Sequence, residues 1–162
     1  MAFVRVKTTH SGAITIRKRD ANAALKQEWA RVGKTWHKKF VPLHFTRTAY
    51  SRYNYQKRTK AYTRQKRKKW GHVKPLTWSG TTQKAITAAP TIKSSANKVT
   101  IDMAAGNLLN TRKGKYQKAK PIDKRAELLR VTRAEQNELS DQMQRGLDDR
   151  IRKHFHQKTR YH

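Results

Sequence analysis

Between Arg47 and Lys74 the chain carries 11 Lys or Arg and no Asp or Glu. A stretch of that charge resists burial, because a cation taken out of water is costly unless it is paired. It therefore limits which residues can build a core, and it demands an anionic neighbour. The whole chain repeats the imbalance, with 39 Lys plus Arg against 10 Asp plus Glu and a formal charge of +29, far beyond what solubility requires. The acids are also unevenly placed. After Asp20 and Glu28 the next is Asp102, and seven of the ten fall between Asp123 and Asp149. The middle of the chain thus reads as a purely basic surface and the last third as mixed, facing different neighbours. Nucleic-acid phosphate is the first anionic partner to consider, since each neutralised phosphate releases counterions without any sequence-specific contact. An acidic protein surface is the second.

At 162 residues the chain reads as a single domain, 1–162, able to bury one core. Four Trp, six Tyr and four Phe supply large anchors, so a partly ordered chain is expected rather than a wholly disordered one. The absence of Cys excludes disulfides and thiolate metal sites. No apolar run approaches the roughly 18 residues of a membrane span, and the basic start, Met1 to Arg19, has no apolar core of signal-peptide length. The expectation is a soluble protein made inside the cell, with no membrane partner.

Apolar periodicity places the elements. Leu25, Trp29, Val32, Trp36 and Phe40 recur at spacings of four, three, four and four, which predicts an amphipathic helix opened by an Asp20 cap. Pro42 predicts a kink or break, followed by a second short helix from His44 to about Tyr53. Residues 54–75 are too charged for a core element and read as an extended basic arm, with a helical turn or two around Lys60 to Lys69. Leu76–Gly80 predicts a turn into a short helix at Thr81–Thr87. Thr91–Ser95, with Ile92, and Lys98–Met103, with Val99, Ile101 and Met103 in alternation, predict a hairpin. Residues 106–121 read as a loop that orders against a partner, and 126–131 as a last strand. Thr132-Arg-Ala-Glu135 is a capping box. It opens a helix on which Leu139, Met143, Leu147, Ile151 and Phe155 recur every four residues, with a frayed tail at 156–162. The two apolar stripes read as core. The fold class that follows is α+β, two amphipathic helices packed on a small antiparallel sheet, with the 1–19 extension, the basic arm and loops outside it.

Chemistry is poorly supplied. His154 and His156 are the densest histidine pair, but residues two apart on a helix point to different faces, and no acid completes a metal set. His37, His44 and His72 read as surface or half-buried polar groups. The acids read as solvated helix face and dipole complement, Asp148 and Asp149 among them, and there is no phosphate-cradling glycine loop. No catalytic residue, metal ligand or cofactor is expected, and no enzyme. The basic block interleaved with aromatics can track a phosphate backbone while rings offer stacking platforms. Its contact residues are expected to be Tyr55, Lys57, Arg58, Arg64, Lys66, Arg67, Lys68 and Lys69.

One region carries a resemblance. Phe40-Val-Pro-Leu-His-Phe45, Tyr53-Asn-Tyr-Gln-Lys-Arg58, Lys60-Ala-Tyr62, a basic run, and Gly71-His-Val-Lys-Pro-Leu-Thr-Trp-Ser-Gly80 resemble the neck, morphogenesis and tail-completion proteins that connect head to tail in tailed bacteriophages. In that family an aromatic Tyr-x-Tyr with basic residues and a Pro-Leu-x-x-(Ser/Thr)-Gly turn precede a short helix and a hairpin. The element order is similar across about residues 20–155. Thr81 departs from it, since Arg or Lys often follows the turn, and the charge exceeds that of a typical member. The resemblance implies a structural virion protein at the head–tail junction, a homo-oligomeric ring of six or twelve copies joining portal or adaptor to tail proteins. Non-specific contact with genomic DNA would suit its charge. The competing expectation is an RNA-binding ribosomal or other ribonucleoprotein component.

Overall fold

A computed structural model describes residues 17–104 and 122–159, with side chains described as far as Lys153. The extension before residue 17, the whole of the 106–121 loop, residues 160–162 and the side chains from His154 onward, Phe155 among them, lie outside the described residues. The fold is α+β and mainly helical. Its elements are α1 (Lys18–Thr35), α2 (Ala49–Arg52), α3 (Lys60–Trp70), α4 (Thr81–Thr87), β1 (Thr91–Ser94), β2 (Val99–Asp102), α5 (Lys124–Leu128) and α6 (Arg133–Thr159). No helix among the described residues is long and apolar enough to cross a membrane.

The chain divides into two compact units, one formed by the N-terminal part through Trp36, by Ile92–Ile101 and by Arg133 onward, the other by His37–Thr91 and Asp102–Thr132. The first unit packs α1 against α6 with the hairpin beside them, as the two apolar stripes predict. Val32, Leu139, Met143 and Leu147 are buried there. Trp29 Nε1 donates to the Ala96 carbonyl at the hairpin turn, 3.1 Å. Gly33 lets the sheet close on α1, because a Cβ there would stand 2.8 Å from Val99 Cγ2. The helix starts at Lys18 behind Arg17, so Asp20 lies in the first turn rather than at the cap.

The interior of this unit is not purely apolar. Glu28, almost fully buried, accepts from Arg31 Nε at 2.8 Å and from Arg150 Nε at 2.7 Å. Glu135 is fully buried at the head of the α6 stripe. Two acids thus occupy helix positions that a periodicity reading assigns to solvent.

After α1 the chain widens into a π-helical turn (Trp36–Phe40) and, within the second unit, tightens into a 3₁₀ turn (Val41–Phe45) with Pro42 at its start. Pro42 has no amide to donate into a continuing α-helical ladder, which is consistent with the helix giving way there. The expected second helix shortens to the four residues of α2. Phe40, Val41, Phe45, Ala49, Tyr53, Tyr55, Leu76, Ile86 and Leu128 form the core. His37 and His44 are buried as well, which corrects their reading as surface or half-buried groups. His37 Nε2 donates to the Ile86 carbonyl at 2.8 Å, and His44 stacks on Tyr53 with ring centroids 3.8 Å apart. The segment read as a strand at 126–131 instead contains α5, whose Asp123 cap accepts from Ala126 N at 2.8 Å.

Candidate nucleic-acid interface

The expected basic arm is an ordered helix with its two ends specified. At the start of α3 the Thr59 side chain accepts from Tyr62 N at 3.2 Å. At its end Gly71 takes the left-handed conformation, φ 68°, and its amide returns to the Arg67 carbonyl at 2.9 Å. Cap residue and terminal glycine together make a complete helix signature. The inner face is set by Tyr62 and Lys66, four residues apart, and Trp70, a further four on, lies at its exposed edge. Tyr62 rests on Trp78, ring centroids 5.4 Å apart. Lys66 is buried, its ammonium donating to the Lys74 carbonyl and lying 5.5 Å from the Tyr62 ring centre. Burial, with Arg58 and Lys124 adding repulsion, lowers the Lys66 pKa to about 8.

The turn entering α3 is fixed by an internal ion pair. Glu127 of α5 accepts from Arg58 Nη1 at 3.0 Å and from the Gln56 amide at 3.1 Å, and it meets Arg58 Nη2 as well. Burial works against the Arg58 charge, but the Glu127 carboxylate outweighs it and the arginine pKa is raised. Arg130 Nη1 donates to the carbonyl of Tyr53 at 2.9 Å. Tyr55 hydrogen-bonds His44 Nδ1, and burial pushes its pKa well up, with Glu127 adding to the effect. Downstream, the Pro75–Gly80 turn closes by Leu76 at φ 54° and Gly80 at φ 92°. Tyr53, Tyr55, Arg58 and the Pro75–Gly80 turn are thus tied into one unit.

Facing outward, Lys60, Arg64, Arg67 and Lys68 fall at i, i+4, i+7 and i+8, one face of the helix. With Arg58 and Thr63 they line an open concavity of about 480 Å³ with no acid in its wall. All four are exposed. A backbone phosphate is the ligand such a wall suits, since charge-assisted hydrogen bonds from Arg and Lys are strong and anions are otherwise absent from it.

Of the eight expected contact residues, Arg64, Arg67 and Lys68 share this face. Lys69 is exposed on α3 with its ammonium 5.5 Å from the Trp70 ring centre, and Lys57 is exposed ahead of the helix. Tyr55 and Lys66 are buried in the core, so these two shape the unit instead of meeting a partner, while Arg58 is held by Glu127 and still lines the concavity. The reason is helical geometry: once α3 forms, position 66 turns inward. Lys60 and Thr63 were missed, and the helical spacing from Lys60 to Lys68 is the signal that finds them.

Among the described residues no three of His, Asp and Glu gather as metal ligands. Comparison of the chain with protein-family models, curated proteins and solved structures gave no match.

Proposed function

We propose that the protein is a non-enzymatic structural subunit of the head-to-tail junction of a tailed phage, which assembles as a ring and sets the α3 face against nucleic-acid phosphate. The observation that supports it most is that face: four exposed cations on one side of a helix, with no acid in the concavity they line. Such an arrangement is self-repelling. Like charges at i, i+4 destabilise a helix by about 0.2–0.5 kcal/mol per pair, a standing cost that an anionic partner relieves. The neck assignment is supported by the Phe40–Phe45, Tyr53–Arg58 and Gly71–Gly80 stretches, and the junction supplies both a polyanion and neighbouring subunits to offset +29 per copy.

Mass photometry of the full chain at moderate and high salt, alone, with short duplex DNA and with RNA of similar length, tests both parts. Discrete species of six or twelve copies are expected, together with DNA binding whose logarithmic salt slope falls in magnitude by about 2–3 when Arg64, Arg67 and Lys68 are replaced by Gln. A monomer at every condition that binds only RNA, with salt dependence, assigns the chain to a ribonucleoprotein instead. An unchanged slope in the variant removes α3 as the contact.

A further inference from the structure

The cationic face does not end in a polar residue. Trp70, the last residue of α3, lies three positions beyond Arg67 and seven beyond Thr63, so it continues the edge of the phosphate-suited face. It is 38% exposed, while most other large apolar side chains among the described residues are covered. A half-exposed tryptophan alone means little. This one is held in place. Trp78 meets it edge-on, ring centroids 6.5 Å apart at 72°, and Trp78 in turn rests against Tyr62. Gly71 stops the helix directly after it, leaving no side chain at the next position to cover the indole. The Lys69 ammonium lies over the ring, but an exposed cation–ring contact is weak and a stacking base displaces it.

A braced, partly open indole beside a row of cations is the pairing that binds single strands: cations follow the backbone while a ring takes the face of an unpaired base. In duplex DNA the bases are stacked on one another and offer no such face. We infer that the α3 surface binds single-stranded nucleic acid, with a base stacked on Trp70 and the flanking phosphates held by Arg64, Arg67 and Lys68. This rests on the phosphate-binding reading above and adds the strandedness of the ligand.

The test titrates the full chain, at low and moderate salt, with oligothymidylate of about 12 nucleotides, an abasic strand of equal length and a duplex of equal length. Oligothymidylate is expected to bind about tenfold tighter than the abasic strand and to quench tryptophan fluorescence, which the abasic strand leaves unchanged. Trp70→Leu, which keeps an apolar side chain against Trp78, is expected to abolish the preference and leave abasic binding as it was. Equal affinity for oligothymidylate and abasic strand in the wild type overturns the stacking role while leaving phosphate binding intact. A preference that survives Trp70→Leu overturns it too. Failure of all three ligands to bind at low salt overturns both readings together. The wild-type comparison needs no variant to fold.

Discussion

At the scale of single residues the least expected finding is Lys66, a lysine on the buried side of the most basic helix. Its pKa is lowered from an ordinary 10.5 to about 8, first by loss of solvent and then by Arg58 and Lys124. Between those two values the unfolded chain holds a proton that the folded chain has released. Stability therefore rises with pH across that window, and the penalty is fully in force below it. Tyr50, Tyr55 and Tyr62 act in the opposite sense. Burial raises each, so their contribution is lost only as pH climbs past the tyrosine value of 10. Urea midpoints between pH 8 and about 9.5 isolate the lysine: wild type is expected to gain stability with pH and Lys66→Met to stay nearly flat. Parallel curves would show that the lysine keeps its charge. The sequence could not announce this residue. A helix that turns Lys66 inward between Tyr62 and Trp70 has a cation where periodicity looks for an apolar side chain, so the whole segment passes for an arm.

At the scale of elements, legibility followed how apolar each buried face is. The α1 and α6 stripes, the hairpin and α4 were readable because Val32, Leu139, Met143, Ile86 and their neighbours recur at the spacing their elements impose. α5 was misread as a strand because its buried pair, Glu127 and Leu128, includes an acid that serves Arg58. The α1–α6 contact holds a feature of the same kind. Gly146 sits mid-helix, where glycine costs about 1 kcal/mol against alanine, yet a Cβ there would overlap the Glu28 carboxylate and the Arg31 guanidinium. Arg31 also reaches the Gln142 carbonyl, 2.6 Å away. Gly146→Ala should thus destabilise by about 1–3 kcal/mol through overpacking, against the helix-propensity gain. Denaturant titration decides the sign. A stabilised variant would mean that the Glu28 ion pairs can move aside, even though that carboxylate is buried between two arginines.

At the scale of the whole molecule the ten acids count for less at the surface than their number suggests. Glu28, Glu127 and Glu135 are buried, and the first two are held by arginines. The exposed surface is accordingly poorer still in negative charge, and the α3 face carries repulsion that no described side chain relieves across its concavity. If that face exists for binding, it must cost stability when empty, as functional sites commonly do. Replacing Arg64, Arg67 and Lys68 with Gln removes several like-charge pairs from one helix. The variant should then be more stable than wild type by about 1 kcal/mol at low salt. Adding a polyanion should reverse the order, because wild type gains stabilisation in proportion to the logarithm of ligand over Kd and the variant gains less. Raising NaCl alone should close the low-salt gap by screening. Chemical denaturation under the three conditions distinguishes the alternatives. A variant already weaker at low salt would make these cations part of the scaffold, whereas a crossover on adding polyanion would mark them as a surface kept under repulsion for a partner to neutralise.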